Sequence, residues 1–444
     1  MAIYDGVFGV DEPTLDEFVR SVYDATHDLL LKDSVPVSVP PLGVTRIEYD
    51  IAAAPTVSLA PSALVRDLHR SLLAELNGHD DAGMLAAAEA ASQASFELHA
   101  PSLVVVVHYG AGVPTTQLDA SLRVGLQLNL TAGGMLTPDI VTMIVDIPDN
   151  PDLAELVNRG LVPELTRLIE ETFLRPIQIP PLGLGSLQVA PPVVVTGGGR
   201  LLATTAMLPT QPEPAPLAGA WPDGTVFVAV RPAVINKLVG DAAATQQIKG
   251  HWEKQFKVLF ISVTLNADYQ VAVSNVALDV VPGQDGQLRG TALLNLDVGF
   301  WAKNLFSFSA TGTARPTVRV TASVNAANEV VVKLDSIDAI KFDLDFAGVP
   351  AALDDVIEGI ANALAPMVLN TVNSELAKVP PQTVTKIPEI PIVLDEATVV
   401  VTLTDLDITT LTTPDGKTCL AATGGAAVHV QPHQLVHTAH HRDQ

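Results

Sequence analysis

The residues best suited to binding a metal lie at the carboxyl end of the chain. From His429 to His441 a histidine recurs every four residues. On a helix this spacing would align the imidazoles on one face, where Zn²⁺ or Ni²⁺ could bind. Pro432 would interrupt such a helix, and no carboxylate spacing completes the ligand set. We therefore interpret residues 425–444 as a flexible tail and predict no metal site.

Two pairs of carboxylates have a spacing that could serve acid–base catalysis. Asp343 and Asp345 form one pair, and Asp405 and Asp407 form the other. Both pairs lie on the polar side of alternating, strand-like patterns, so we expect these carboxylates to be solvated on one face of a sheet. This position favours a surface role over acid–base chemistry.

Three further motifs fit structural roles better than catalytic ones. The glycines at 197–199 precede Arg200 without the Lys-Ser/Thr of a phosphate-binding loop, so we predict a hairpin turn there. Residues 183–186 lack the second glycine of a nucleophile elbow. His108 ends an apolar strand pattern, where a hydrogen-bonded structural histidine is typical. We therefore predict a protein that is not an enzyme and has no cofactor.

Charge and composition exclude several classes of partner. The formal net charge of -24 at pH 7 argues against nucleic acid and against a polybasic membrane-surface patch. No stretch approaches the roughly 18 consecutive apolar residues of a membrane span, and the first residues lack the pattern of a secretory signal. Cys419 is the only cysteine, so no intrachain disulfide can form, which is typical of a reducing compartment. We predict a cytoplasmic protein with no nucleic-acid partner and no membrane span.

The elements that must position any site begin with a repeated amphipathic helix. Its two copies run from Asp152 to Arg175 and from Asp355 to Lys378, an offset of 203 residues. Apolar residues recur at helical spacing along one face of each copy. Pro163 and Pro366 match at the same offset, and we expect each proline to kink or restart its helix.

Long alternating patterns typical of antiparallel strands lie between the helices. In the second half they cover residues 259–273, 288–300, 317–325 and 340–346, and in the first half residues 118–131. Alternation of this kind buries one face of a sheet and solvates the other. A fifteen-residue strand spans about 50 Å, so we predict long, twisted sheets joined by hairpins.

A second repeat divides the chain into two modules. Val7-Phe8 and Val226-Phe227 match, and a proline-rich stretch lies between them. We predict a first module over residues 1–208, a linker over residues 209–224 and a second module over residues 225–424.

The first module contains an additional helical pattern over about residues 63–97. Two helices are predicted from Ala63 to Leu76 and from Asp80 to Ala94, joined by a turn at residues 77–80. This helical hairpin is a structural insertion, a lid over a groove or a surface for a protein partner.

The predicted fold class is α+β, with each module a long curled antiparallel sheet around amphipathic helices. Two helices cover only part of a sheet this long. Either each sheet rolls up and leaves an elongated apolar groove, or the two halves pack their sheets together. A groove of this kind would suit a long hydrophobic molecule.

This order of elements resembles the tubular lipid-binding superfamily, which includes bactericidal/permeability-increasing protein. The resemblance is carried by residues Ile235 to Ala242, the strand patterns, Val356 to Lys378 and the strand Ala397 to Ile408. Two modules in tandem without a signal peptide look more like the bacterial P47 and OrfX proteins encoded beside some clostridial neurotoxins. The single cysteine and the acidic charge depart from the secreted members, so their disulfide and basic tip are not carried over.

The resemblance implies an apolar cavity in each module that can hold acyl chains. At about 0.8 kcal/mol per buried methylene, a sixteen-carbon chain gains on the order of 12 kcal/mol before ordering costs. We predict binding of phospholipid or fatty acid, with transfer left open. The alternative is a structural or toxin-accessory protein with closed cavities, whose protein partner meets the acidic surface or the helical hairpin at 63–94. The predicted ligand-binding residues are Leu15, Phe18, Val22, Leu161, Leu165, Leu168, Leu238, Leu294, Leu296, Phe342, Ile360, Leu364, Val368 and Val372.

Overall fold

A computed structural model describes most of the chain. The described residues are 3–39, 43–60, 62–77, 82–92, 95–110, 112–130, 135–148, 151–172, 177–178, 187–218, 221–223, 226–244, 247–258, 261–303, 305–338, 340–349, 357–386, 390–393 and 397–432.

The described residues contain seven helices and 22 strands, in three antiparallel sheets. The helices are α1 (Glu12–Leu30), α2 (Ala63–Asn77), α3 (Ala82–Ser92), α4 (Pro151–Gly160), α5 (Val162–Thr172), α6 (Pro232–Ala244) and α7 (Ile357–Leu376). The strands are β1 (Gly6–Asp11), β2 (Lys32–Val39), β3 (Val44–Ile51), β4 (Thr56–Ser58), β5 (Ser95–Tyr109), β6 (Thr116–Leu130), β7 (Met135–Asp146), β8 (Ile177–Gln178), β9 (Val193–Gly197), β10 (Arg200–Thr205), β11 (Val226–Val230), β12 (Gln247–Val258), β13 (Ile261–Val280), β14 (Gln287–Ala302), β15 (Phe306–Ala314), β16 (Thr317–Val324), β17 (Glu329–Ile337), β18 (Asp343–Ala347), β19 (Gln382–Lys386), β20 (Ile390–Val393), β21 (Ala397–Thr412) and β22 (Thr418–Pro432).

The predicted fold class is confirmed. The first sheet has the order β2-β3-β5-β6-β7-β8, with β4 beside β5, and the second has the order β12-β13-β14-β16-β17-β19, with β15 and β18 branching from β14. Buried and exposed residues alternate along their long strands, as in β14, so the inner face of each sheet is buried and the outer face is exposed. Each curled sheet packs its apolar face against amphipathic helices.

A third, central sheet joins strands from both halves of the chain in the order β20-β21-β22-β11-β1-β10-β9. At its middle β1 pairs with β11, with Gly6 opposite Val230 and Val10 opposite Val226. All five residues of β11 are buried, which explains its continuous apolar sequence. A Cβ at Gly9 would lie 2.2 Å from the Phe227 ring, so this position requires glycine.

A buried ion pair lies beside this sheet, where the two ends and the middle of the chain meet. The Arg231 guanidinium lies 2.6 Å from a carboxylate oxygen of Asp415 and 4.0 Å from the ring centroid of Tyr4. The Thr413 hydroxyl donates to Asp415 at 2.5 Å, and the Tyr4 hydroxyl donates at 3.3 Å. We call Tyr4, Arg231, Thr413 and Asp415 the central junction.

The environment of the central junction shifts the acidity of nearby groups. Burial acts to raise the pKa of Asp415, but the hydrogen bond from Thr413 and the charge of Arg231 outweigh burial, so the pKa is lowered. Burial raises the pKa of the Cys419 thiol to about 11, which makes this lone cysteine an inert core residue at neutral pH.

The predicted linker is irregular but packed. The Trp221 side chain is buried and stacks on Phe227, with ring centroids 5.5 Å apart. Its indole N–H donates to the carbonyl of Pro216 at 2.9 Å, and the carbonyl of Glu213 accepts from Thr204. The described part of this segment therefore covers the central sheet instead of standing away from it.

The two copies of the repeated helix respond differently to their prolines. The first copy restarts: α4 ends at Gly160, and α5 begins at Val162, immediately before Pro163. The second copy continues through Pro366 as the single helix α7. Residues 350–356, which include its predicted start, lie outside the described residues.

Each sheet-covering helix α4, α6 and α7 is attached to a strand by one asparagine side chain, and we call these contacts the asparagine clamps. In each clamp the side-chain amide donates to the carbonyl of one strand residue and accepts from that residue's N–H, at 2.7–3.2 Å. The pairs are Asn158 with Val145, Asn236 with Leu278, and Asn373 with Ile337.

The clamps occur where a strand extends beyond its neighbour. In each case the pairing with the neighbouring strand ends before the clamped residue. The β7–β8 pairing covers only Met135 and Leu136, β12 pairs with β13 as far as Ala272, and β19 pairs with β17 as far as Val332. Beyond these points the strand's backbone groups have no ladder partner on that side among the described strands, and the asparagine amide satisfies them.

Candidate functional site

A cluster of aromatic side chains forms one end of the apolar interior of the second sheet. Aromatic residues make up 5% of the chain, yet six of them meet here, on four strands brought together by the sheet. We call this cluster the aromatic end; its members are Trp252, Phe256, Phe300, Phe306, Phe308 and Phe346.

The inner part of the aromatic end is closely packed. Phe300 and Phe308 stack with centroids 4.7 Å apart, and Trp252 meets Phe300 edge-on at 6.3 Å. These three side chains are buried. Offset and edge-to-face contacts of this kind stabilise an apolar core beyond the area they bury.

The outer part of the aromatic end stays accessible. Phe256, Phe306 and Phe346 are only half-buried although they pack against the same core. Leu305, in the turn between β14 and β15, is 65% exposed. Large apolar side chains that keep contact with water at the edge of a core are typical of sites that bind apolar molecules.

Helix α7 runs from this end along the apolar face of the second sheet. A Cβ at Gly359, in the first turn, would lie 3.8 Å from the Phe256 ring. The side chains of Ile360, Leu364, Val368 and Val372 are all 0% exposed within the core shared with the sheet. The helix and the sheet therefore form one continuous apolar seam.

The polar attachments that the described side chains of α7 make to the sheet are at its other end. The Asn373 clamp holds it to β17, and the Tyr269 hydroxyl bonds the Thr371 hydroxyl at 2.6 Å. Pro366 lies between these bonds and the aromatic end, and its missing N–H leaves the helix one backbone hydrogen bond short. Among the described side chains, no hydrogen bond attaches the half of α7 nearer the aromatic end to the sheet, so the described contacts of that half are apolar.

The structure brings most of the predicted ligand-binding residues into two cores. Seven of them are buried in the second core, and Phe342 packs half-buried against that core. The seven are Leu238, Leu294, Leu296, Ile360, Leu364, Val368 and Val372. In the first core Leu161 and Leu165 are buried, with Phe18 and Val22 half-buried against them. The Leu168 side chain lies outside the described residues.

Leu15 lies in a different place from its helix neighbours. It packs against the second core, whereas Phe18 and Val22 of the same helix pack against the first. The cause is the central sheet: β1 pairs with β11, so the start of α1 lies beside strands of the second half.

Of the predicted residues, Ile360 directly follows Gly359, whose Cβ position lies 3.8 Å from the Phe256 ring; the six members of the cluster were not predicted. Their signal in the sequence is the short spacing of Trp252 with Phe256 and of Phe306 with Phe308, at even intervals that place each pair on one strand face. Their convergence depends on strand pairing, with Phe300 opposite Phe308, which the sequence pattern does not specify.

Two polar concavities lie elsewhere on the molecule. A groove of about 540 Å³ on the outer face of the second sheet is lined by hydroxyls, amides and three carboxylates: Asp297, Asp343 and Asp345. Its lining does not suit an acyl chain. Asp343, Asp345, Asp405 and Asp407 are all exposed, which confirms the surface role predicted for the two pairs.

The second concavity, of about 420 Å³, lies in the first module. Its carboxylates already accept hydrogen bonds from the protein backbone: Glu12 accepts from the Leu59 N–H, and Asp16 accepts from the Val57 N–H. Burial acts to raise the pKa of Glu97, but hydrogen bonds from the backbone of Leu64 and the side chains of Arg123 and Ser62 outweigh it and lower the pKa. These carboxylates stabilise the fold locally.

The remaining motifs have structural positions. Gly198 and Gly199, with φ of +60° and +73°, make the turn between β9 and β10, which confirms the hairpin. His108 lies 3.2 Å from Glu48. No group of three or more His, Cys, Asp or Glu side chains within the described ranges could hold a metal. His429 is exposed on β22, which continues to Pro432 within the predicted tail; residues 433–444 lie outside the description.

No helix among the described residues is long and apolar enough to cross a membrane.

No protein-family model matches the chain, and no curated protein matches its sequence. Solved structures similar to it over nearly its whole length include two P47 structures and a lipopolysaccharide binding protein. P47 of Clostridium botulinum E1 has a TM-score of 0.46 at 8% identity, covering 96% of this chain and 99% of that one. P47 from Clostridium botulinum A2 has a TM-score of 0.43 at 8% identity, covering 95% and 97%. A lipopolysaccharide binding protein has a TM-score of 0.32 at 12% identity, covering 96% and 99%.

Both kinds of protein to which the sequence bears a resemblance, the P47 type and the superfamily of bactericidal/permeability-increasing protein, are thus represented among similar structures. At identities of 8–12% and TM-scores below 0.5, the function has to be argued from this chain's own residues.

Proposed function

We propose that the protein is a non-enzymatic binding protein for a long hydrophobic molecule, such as the acyl chain of a phospholipid or fatty acid. The acyl chain of the ligand would enter at the aromatic end and lie in the seam between α7 and the second sheet. The observation that carries the proposal is the set of half-buried phenylalanines at the unclamped end of this seam.

Entry of the ligand requires a shift of the first half of α7, since its apolar row is completely buried. The shift exchanges protein–protein apolar contacts for protein–ligand contacts of the same kind, so the net cost is small. Each methylene moved out of water gains about 0.8 kcal/mol. The asparagine clamp keeps the other half of α7 in place.

The first test is extraction of the purified protein with organic solvent, combined with native mass spectrometry. We expect about one phospholipid or fatty acid per chain, or uptake of a fluorescent fatty acid to that ratio after delipidation. An empty protein that takes up no fluorescent fatty acid would overturn the proposal.

The position of the ligand is tested by substitution at the accessible rim. Phe306→Asp and Phe346→Asp place a charge in the path of the acyl chain, and we expect at least tenfold weaker binding of the fluorescent fatty acid. Phe96→Asp is the matched control, because Phe96 is likewise half-buried but packs against the first core. Equal losses in all three variants would argue against the aromatic end.

A second candidate function is protein interaction through the helical hairpin α2–α3. Leu72, Leu76 and Leu85 on these helices are 47%, 82% and 41% exposed, which is more apolar exposure than an isolated structural insertion needs. The apolar row of α7 is fully buried, which also fits this alternative because it requires closed cavities. An extract without lipid together with a failure to take up fatty acid would favour it.

The absence of catalysis and the cytoplasmic location remain predictions from the sequence, and the choice between transferring lipid and only holding it stays open. The acidic surface, with 49 Asp and Glu against 25 Lys and Arg, supports a protein that avoids anionic polymers.

A further inference from the structure

One lysine lies on the apolar face of the second sheet, at the aromatic end. In the β12–β13 ladder, Lys254 is opposite Leu265, and residues directly opposite each other point to the same face. Leu265 is buried in the second core. Lys254 is therefore directed to the inner side of β12, in line with Trp252 and Phe256, which precede and follow it by two residues.

The ammonium group of Lys254 is available for a ligand. Its Nζ lies 5.7 Å from the centroid of the half-buried Phe256 ring. No carboxylate among the described side chains lies within 4.0 Å of it. The residue itself is exposed, because β12 is an edge strand and the long stem carries the charge to the rim of the seam.

We propose that Lys254 binds the anionic headgroup of the ligand, so that the ligand class is an acyl-chain amphiphile with a carboxylate or a phosphate. This inference rests on the proposed function. The acyl chain would pass Phe256 into the seam, and the headgroup oxygens would accept hydrogen bonds from the Lys254 ammonium at the water-exposed rim.

An inward-facing charge also protects an edge strand from pairing with another chain. That role needs no ligand and no particular headgroup. The two roles are separated by comparing ligands that share one chain and differ only in headgroup charge.

The experiment measures displacement of a fluorescent fatty acid by hexadecanoate, hexadecyl phosphate and hexadecanol. The proteins are the full-length chain and its variants Lys254→Met and Lys257→Met. Methionine keeps an apolar stem of similar length, so the packing beside Phe256 is preserved. Lys257 is the matched control, since it lies opposite Ser262 on the outer face of the same strand.

For the unmodified chain we expect hexadecanoate or hexadecyl phosphate, or both, to bind about fivefold more tightly than hexadecanol, as a charge-assisted contact at a partly exposed site would give. Lys254→Met should abolish this preference without weakening hexadecanol binding, and Lys257→Met should retain it. A preference for one anion alone identifies the headgroup as carboxylate or phosphate.

Four results overturn the inference. Equal binding of the three ligands to the unmodified chain, or an undiminished preference in Lys254→Met, refutes the headgroup contact while leaving the proposed function intact. Equal loss of preference in both variants shows a general charge effect instead of a site. Failure of every ligand to bind the unmodified chain refutes the proposed function itself.

Discussion

At the residue scale, the central junction concentrates polar interactions that hold distant parts of the chain together. Arg231 and Asp415 are 9% and 8% exposed in their side chains, and Tyr4 from the amino end covers the guanidinium. Removing one partner of a buried pair leaves the other charge without compensation, which costs more than the pair itself contributes.

Arg231→Met is therefore expected to destabilise the protein by about 3–5 kcal/mol, since the Asp415 carboxylate stays buried without its cation. The measurement is the midpoint of unfolding in urea. Arg200→Met is the control: its partner Asp223 is 83% exposed, so the cost should stay below about 1 kcal/mol. Equal effects of the two substitutions would contradict the role of the central junction.

The lowered pKa of Asp415 predicts how this stabilisation depends on pH. A carboxyl whose folded pKa lies below its unfolded value contributes stability that is present above the unfolded pKa, about 3.9. That contribution is lost as pH falls through the folded pKa. The difference in urea midpoint between the unmodified chain and Asp415→Asn should therefore be complete at pH 6 and shrink below about pH 4. A difference that is as large at pH 3 as at pH 6 would refute this assignment.

At the scale of elements, the asparagine clamps decide which part of each covering helix is fixed. Asn373 satisfies both backbone groups of Ile337, at a point where no described strand pairs with β17 on that side. Apolar contacts are non-directional, so they do not fix the position of α7 along the sheet. The hydrogen bonds of Asn373 fix it.

Asn373→Leu should destabilise the second module by about 1–3 kcal/mol, because the N–H and carbonyl of Ile337 lose their partners in a partly buried setting. Asn370→Leu is the matched control on the same helix, at an exposed position. Thermal unfolding of both variants provides the comparison. The clamp has no such role if the control is as destabilised as Asn373→Leu.

The sequence predicted the long alternating strands well and the less regular ones poorly. The patterns at 288–300 and 317–325 correspond to β14 and β16. In β17 three successive valines, Val330 to Val332, are all buried, and the register against β19 shifts between Val330 and Val331. A bulge of this kind breaks the alternation on which strand prediction depends.

The candidate site depends on which strands pair and in what register, and the sequence of a single strand does not specify this. The apolar row of α7 follows from helical spacing, and its four residues are buried as a group. The aromatic end and Lys254 depend on which strands become neighbours and in what register. Those pairings join residues as far apart in sequence as Trp252 and Phe346, and no local pattern specifies them.

At the scale of the whole molecule, the central sheet makes the two halves interdependent. β1 and β10 from the amino half pair in one sheet with β11 and β22 from the carboxyl half. Neither half can complete this sheet alone, since β1 takes one neighbour from each. The predicted modules at 1–208 and 225–424 therefore share backbone hydrogen bonds as well as a linker.

The two halves of the protein carry different accessible apolar side chains. The aromatic end belongs to the second sheet, whereas the first half carries the helical hairpin with its exposed leucines. We expect this asymmetry to divide the functions: ligand binding in the second half, and any protein contact in the first.

The most direct measurement is photocrosslinking with a hexadecanoate that carries a diazirine a few methylenes from its carboxylate, followed by mapping of the labelled peptides. Ligand in the seam should label β12, β15 and α7, and excess unmodified hexadecanoate should suppress the label. Labelling confined to the first half or to the polar outer groove, or no specific labelling at all, would contradict the account.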